Sequence, residues 1–265
     1  MQNKLSIEWG LNTWRDIEKA KNRIAAVLIP VGSIEQHGEH LPLLTDSLIS
    51  YNLSLDVARK AMSEKLEVLV LPPLYYGYSP EWSRFSGTIT LSKEGFEKVV
   101  KDIISNLVRQ GIETIIIVNS HGGNTNILSA LLRDLAYTSA TDLKILSVEW
   151  WKLLEAEVRR IMRSEVSHAD EAETSLALYY GLTSEELVRE VCRDKGSALQ
   201  REWPKTSIHV SRKPFEPDFP GSFGNPCSAS KEKGSEIANL FVLKMLGLIK
   251  CLKTNTVDDC IMRLT

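Results

Sequence analysis

Four of the chain's five histidines fall in three short stretches that also carry carboxylates. The first stretch, residues 33–46, holds Glu35, His37, Glu39, His40 and Asp46. The second, residues 119–124, reads Asn119-Ser120-His121-Gly122-Gly123-Asn124, and the third runs from His168 through Asp170, Glu171 and Glu173 to Ser175. Carboxylates and imidazoles suit Zn²⁺, Mn²⁺ or Fe²⁺. None of the three stretches contains cysteine, which argues against a closed thiolate site and for an open, catalytic one. Two divalent ions about 3.5–4 Å apart, sharing one carboxylate, would generate a bridging hydroxide and polarise a substrate carbonyl.

Each residue taken alone has a plainer reading. The first stretch is an ordinary solvated turn, and Asp46 an N-cap for the helix that follows. Asp170, Glu171 and Glu173 suit a helix N-terminus electrostatically, and only the i, i+5 placement of His168 and Glu173 hints at more. Gly122-Gly123 could form a tight turn or cradle phosphate at a helix N-terminus, although neither a Walker lysine nor a GxGxxG pattern is present. The grouping of histidines favours a site over scattered core residues, with His209 alone lying elsewhere.

The elements that must position these groups follow from hydrophobic spacing. Residues 25–31 form a continuous apolar run, as a strand buried on both faces does, and Gly32 breaks it. A polar helix over 11–22 precedes it, and a helix over 47–64 follows, with Leu48, Tyr51, Leu55, Ala58 and Met62 on one face. A second strand over 67–71 ends at Pro72-Pro73. The loop after it carries Tyr75, Tyr76, Tyr78, Trp82 and Phe85, most of them suited to packing and one or two to walling a pocket. Ser92 caps an amphipathic helix (Phe96, Val99, Val100, Ile103, Ile104, Leu107, Val108) that Gly111 ends. Residues 113–119 are a third strand and 142–150 a fourth. Helices are expected from near Thr125, over 151–164, up to Tyr180, and from Lys231 onward, with a capping box at Thr183 and Glu186. Residues 196–229 are loop-rich, and the tail past Lys253 carries no clear pattern. This alternation predicts an α/β protein: a single three-layer α/β/α domain over residues 1–265, with a mostly parallel sheet. Ligands of such sheets gather at the carboxyl ends of the strands, where all three stretches fall.

Composition bounds the partners. With 265 residues, 43% hydrophobic and 25% charged, the chain can bury a large core. A net charge of −2 gives no reason to expect nucleic acid or an anionic membrane. No run is long enough to span a bilayer, and the first residues lack a signal-peptide core. Cys192, Cys227, Cys251 and Cys260 contain no CxxC pair, which points to reduced thiols in a cytoplasmic protein.

The motifs also carry a resemblance. Glu35-Gln36-His37-Gly38, with His40-Leu41-Pro42 and Thr45-Asp46, resembles the metal motif of the creatininase (creatinine amidohydrolase) family. Residues 119–124 resemble that family's second motif, which has glycine where Ser120 stands. Phe85-Ser86-Gly87-Thr88 is similar to its FPGT turn, and residues 168–175 to its HAGxxETS segment, with Asp170 in the glycine position. Gly224-Asn225-Pro226 and Glu232-Lys233-Gly234 resemble its C-terminal signature. The resemblance implies metal-dependent hydrolysis of a C–N bond in a small molecule, by a cytoplasmic homo-oligomer, often a hexamer. It makes Glu35, His37 and His121 ligands, Asp46 the bridging carboxylate and Glu173 the remaining ligand, with up to two ions per chain. His168 falls where the family places a proton-handling histidine. Related activities are deformylation of a formamidopyrimidine nucleotide and trimming of a modified peptide. A metal-holding scaffold without turnover and a nucleotide-binding protein are readings of another class. Trp82, Gly122, Gly123 and Asn124 are expected in the substrate pocket. Creatinine-cleaving members carry an aromatic and an acidic residue after the histidine of the second motif. Gly122 and Gly123 stand there in this chain, leaving Glu173 as the expected replacement acid and more room beside the metals.

Overall fold

The computed structural model describes residues 5–138, 143–195 and 213–263. His209, Pro204 and much of the expected loop-rich stretch lie outside them. A capping box between Thr13 and Asp16 opens α1 (Trp14–Ala20), which leads into β1 (Ile24–Val31). After β1 come α2 (Thr45–Ser63), β2 (Glu67–Val70), α3 (Lys93–Arg109), β3 (Thr114–Asn119), α4 (Thr125–Thr138) and β4 (Lys144–Glu149). The C-terminal part is helical: α5 (Trp150–Leu153), α6 (Glu155–Ile161), α7 (Glu171–Tyr179), α8 (Glu185–Lys195), α9 (Lys231–Leu252) and α10 (Val257–Met262).

The four strands form one parallel sheet in the order β2-β1-β3-β4. Because both faces are covered, β1 and β3 read as unbroken apolar runs rather than as alternating patterns. Ala26, Leu28, Ile116 and Val118 face Ile49 and Leu53 of α2 and Ile237 and Phe241 of α9. Val27, Ile29, Ile115 and Ile117 face Phe96, Val100 and Ile104 of α3 and Leu128 of α4. The result is the expected α/β architecture, a parallel sheet between two helical layers. The Ser92 cap is present, accepting from the Gly95 N–H at 3.0 Å, and Gly111 ends α3 with φ of +85°.

Five expectations are corrected. The helix expected over 151–164 is two pieces, α5 and α6, which kink at Leu154 while keeping Trp150, Leu154, Val158 and Met162 on one buried face. The helix before the first strand is likewise shorter, flanked by 3-10 turns at Trp9–Leu11 and Lys21–Arg23. The cap of α8 is Ser184, whose Oγ accepts from the Leu187 N–H, while the Thr183 hydroxyl donates to the His40 carbonyl. The tail forms α10, opened by a Thr256–Asp259 capping box. Finally, the cysteines are paired: Cys192–Cys227 ties α8 to the turn at Pro226–Ser228, and Cys251–Cys260 ties α9 to α10. Partners 35 and 9 residues apart meet only through the packing of those helices, which sequence spacing does not disclose.

α7 is an unusually polar helix to find buried, with Glu171, Glu173, Thr174 and Ser175 all inaccessible or nearly so. It is held by α9, which approaches so closely that a Cβ at Gly234 would lie 2.0 Å from the Ser175 carbonyl oxygen. Gly234→Ala should therefore destabilise the protein by about 1–3 kcal/mol, overpacking outweighing the better helix propensity of alanine. Urea denaturation measures this, and an unchanged or higher midpoint would show that the two helices have room to separate.

Candidate functional site

β1 and β3 are neighbours, with Val31 opposite Asn119, so the loops that leave them emerge side by side. They sit where the chain turns to β2 on one side of β1 and later to β3 on the other, the switch point at which such sheets bind ligands. Gly32 makes the first turn possible, because a Cβ there would lie 2.3 Å from the Ser47 nitrogen at the start of α2. The loop closes on itself through the Glu35 N–H to Leu43 carbonyl bond. Asp46 then falls in the first turn of α2, but Leu44 occupies the cap position and Asp46 caps nothing. Its carboxylate is free for other partners. In the second loop the Asn119 side chain brackets His121, accepting from its N–H at 3.1 Å and donating to its carbonyl at 2.8 Å.

The third stretch divides its acids by role. Asp170 is the cap of α7, accepting from the Glu173 and Ser167 N–H groups. Glu171 accepts from the Arg163 and Ser164 N–H groups and pairs with Lys233. Of the three acids Glu173 turns toward the first loop, near His37 and Asp46, and its Oε2 accepts from the Ala169 N–H at 2.6 Å. Ala169 has φ of +48°, a left-handed conformation that a residue with a Cβ adopts at some cost.

These loops bring six side chains into one buried cluster. Asp46 lies between two imidazoles, its Oδ1 2.9 Å from His37 Nε2 and its Oδ2 3.2 Å from His121 Nδ1. Glu35 Oε1 lies 3.3 Å from His121 Nδ1 and 3.5 Å from His168 Nδ1. Glu173 Oε2 lies 3.7 Å from His37 Nε2. Carbonyl oxygens fix two of the imidazoles. His37 Nδ1 donates to the Glu35 carbonyl at 3.1 Å, and His121 Nε2 donates to the Tyr78 carbonyl at 2.9 Å. The remaining nitrogen of each ring thus faces the carboxylates, the arrangement that presents a lone pair to a metal. Both oxygens of Glu35 and the Oδ2 of Asp46 are buried without a hydrogen bond from the described residues. Buried carboxylate oxygens that face imidazoles without a well-formed hydrogen bond are costly, and a cation is a partner that fits them.

The electrostatics agree. Burial alone would depress His37, but Asp46, followed by Glu173 and Glu35, outweighs it and holds the imidazole at about 10. His121 is raised in the same way, by Glu35 and Asp46 against burial. Burial pushes the Asp46 carboxyl up, yet His37 and His121 hold it well below the usual range. His168 behaves oppositely: burial, reinforced by the charge of His37, pushes it far down.

His168 Nε2 is 2.9 Å from both the main-chain oxygen and the side-chain nitrogen of Gln36. The Gln36 amide is oriented by its Oε1, which accepts from the Gly38 N–H at 2.9 Å. Either tautomer of His168 is therefore satisfied, donating to the carbonyl or accepting from the amide. Trp82 stacks on the other side of the ring, centroids 4.4 Å apart and planes at 20°.

Other expected positions differ. His40 turns away to the Thr174 hydroxyl, and Glu39 pairs with Lys195 at the surface. Asn124 does not face a pocket: its Oδ1 accepts from the Tyr78 N–H and its Nδ2 donates to the Gly32 carbonyl. The Gly122-Gly123 turn offers no phosphate cradle at its flanks, since the His121 and Asn124 N–H groups are bonded within the loop. Space is open at Gly122, where a Cβ would meet nothing within 4 Å, but at Gly123 it would lie 2.2 Å from the Tyr78 carbonyl oxygen. Glu173 groups with His37 and Asp46, not beside Gly123. The acid on that side is Glu81, which sequence reasoning passed over. Burial raises its carboxyl, with His121 opposing and Glu35 reinforcing the shift. Gln36 was also missed, since neither residue stands out by type or spacing.

Fold and site together define an α/β protein with a carboxylate–imidazole centre at the carboxyl edge of a parallel sheet. Residues 11–249 match the family model described as creatinine amidohydrolase, and the chain belongs to the creatininase family. It is 29% identical to the creatinine amidohydrolase of Pseudomonas putida, over 92% of this chain and 96% of that one. It is 34% identical to the mycofactocin precursor peptide peptidase of Mycolicibacterium smegmatis over 48% of this chain, spanning about half (51%) of that protein's length. A solved structure of creatinine amidohydrolase (creatininase) matches at a TM-score of 0.77 and 26% identity, over 96% of this chain and 100% of that one. Among the described residues no helix is long and apolar enough to cross a membrane.

If Asp46 is shared between two ions, Asp46→Asn should leave the fold intact, since it caps no helix, and sharply reduce metal content. Elemental analysis after incubation with Zn²⁺, Mn²⁺ or Fe²⁺ reads the difference. Full metal content in the variant would return Asp46 to a purely structural role.

Proposed function

We propose that this chain is a metal-dependent amidohydrolase that cleaves an amide or formamide C–N bond in a small molecule bulkier than creatinine. The observation that carries the reading is Asp46, buried with one oxygen toward His37 and the other toward His121. Glu35 and His121 would hold one divalent ion, His37 and Glu173 the other, and Asp46 both. Bound there, Zn²⁺, Mn²⁺ or Fe²⁺ supplies Lewis acidity toward the carbonyl and acidifies water.

His168 does the proton work. Its depressed basicity keeps the ring neutral at physiological pH, able to accept a proton at Nδ1, the atom that faces Glu35. With Nδ1 bare, Nε2–H donates to the Gln36 carbonyl, and it goes on donating there when Nδ1 takes up a second proton. The ring can thus take a proton at Nδ1 from the attacking water, becoming an imidazolium, and pass it to the departing nitrogen without losing its anchor. Trp82, itself packed against Phe215, keeps that ring dry and fixed. His168→Ala should leave metal content unchanged and cut turnover by roughly 10²–10⁴-fold. Loss of metal in the variant would instead make His168 a ligand.

Substrate size follows from the second loop. Gly122 is exposed and unobstructed, where creatinine-cleaving members carry an aromatic side chain. Identity to the peptidase favours a second reading, in which the amide is a peptide bond of a modified peptide. Metal-replete protein assayed on a panel of amides, formamides and short peptides should turn over creatinine poorly and a larger member well. A creatinine kcat/KM of about 10⁴ M⁻¹s⁻¹ or more would overturn the proposal.

A further inference from the structure

At Gly123 another loop occupies the space that a side chain would take. The Tyr78 carbonyl oxygen sits 2.2 Å from where a Gly123 Cβ would be, so no side chain fits there while Tyr78 accepts from His121. The same loop continues into a short 3-10 turn, Pro80–Trp82, whose middle residue is Glu81. Three contacts pin this turn: the Ser33 and Ser79 hydroxyls meet at 2.9 Å, the Ser79 N–H reaches Thr90 Oγ1 at 2.9 Å, and the Phe215 N–H reaches the Glu81 carbonyl at 2.9 Å. Glu81 offers an oxygen within 4.8 Å of ligand atoms on both Glu35 and His121. Glu35 is fully buried, with neither oxygen hydrogen-bonded among the described residues. We infer that Glu81 is a metal ligand of this chain, completing the His121 side of the centre beside Glu35. The inference rests on the metal-centre reading above.

Two consequences follow. Glu35, Asp46, Glu173 and Glu81 bring four negative charges, which balance two divalent ions. The His121-side ion would also have three carboxylates and one imidazole, an oxygen-rich set that suits Mn²⁺ better than the His37 side does.

Metal-free protein is titrated calorimetrically with Mn²⁺, and binding is followed in parallel by electron paramagnetic resonance. The wild type should take up two ions and give a spin-coupled signal. Glu81→Gln, close in shape and uncharged, should bind one ion as before, weaken the other at least about tenfold, and give an uncoupled six-line spectrum. Glu173→Gln should weaken the opposite ion. If Glu81→Gln fails to fold by circular dichroism, Glu81→Asp, which keeps the charge but withdraws it by one methylene, should show the same selective loss. Two unchanged affinities in a folded Glu81 variant would overturn this inference while leaving the metal centre standing. A wild type that binds neither Mn²⁺ nor Zn²⁺ would overturn both.

Discussion

The protein's centre is governed by the cost of putting carboxylates where water cannot reach them. Glu35 and Asp46 are essentially inaccessible, and Glu173 nearly so. Each burial costs several kcal/mol unless positive charge is supplied nearby. His37 and His121 supply it here, and both are held far above their ordinary basicity by the carboxylates they face. Such a balance is provisional in a particular sense. The protons on those imidazoles sit on the nitrogens a metal would use, so a metal and a proton compete for one place. Glu35 meanwhile faces His121 and His168 without a well-formed hydrogen bond to either oxygen among the described residues.

The rest of the fold can be understood as what holds this charge arrangement still. A parallel sheet buried on both faces gives rigid strand ends, and adjacent β1 and β3 release their loops a few ångströms apart. Asn119 and Asn124 spend their side-chain amides on loop backbone, locking the second loop to the first and to the Tyr78 loop. α7 delivers Glu173 only because its cap, its polar residues and its close contact with α9 allow a hydrophilic helix to be buried. Loops alone would not keep like charges this close. The scaffold makes the site possible by denying each acid room to relax.

Much of this was legible from residue types and order. β1 and β3 announce themselves as apolar runs, and Glu35, His37, Asp46, His121, His168 and Glu173 follow them or sit at a helix start. What was not legible depended on approach in space. Glu81 lies between a proline and a tryptophan in an aromatic loop, where one acid is unremarkable. Its importance comes from where Tyr78 places the turn. Asn124, expected in the pocket with Gly122 and Gly123, has its amide engaged with the Tyr78 and Gly32 backbone. Thr183 and Ser184 are equally good caps by composition, and the Thr183 hydroxyl was claimed by His40, leaving the cap to its neighbour. The cysteines followed the same rule, since their partners are chosen by helix packing and not by spacing.

The Tyr78–Trp82 turn joins functions that would otherwise be separate. Its carbonyl at Tyr78 fixes the tautomer of His121, its Glu81 carboxyl stands beside that same ring, and its Trp82 stacks on His168. Through the Glu81 carbonyl it also anchors the Phe215 backbone, and Phe215 and Phe223 pack around Trp82. The surroundings of His121, the stacking of His168 and an aromatic wall are thus set by five consecutive residues. A family member could change its substrate by exchanging this loop together with the second residue after its second-loop histidine, Gly123 in this chain. Neither change works alone: a side chain at Gly123 collides with this loop, and a loop that retreats leaves Glu35 and His121 without their neighbour. Gly123 and the Glu81 turn are therefore coupled in space, whereas Gly122 beside them stays open.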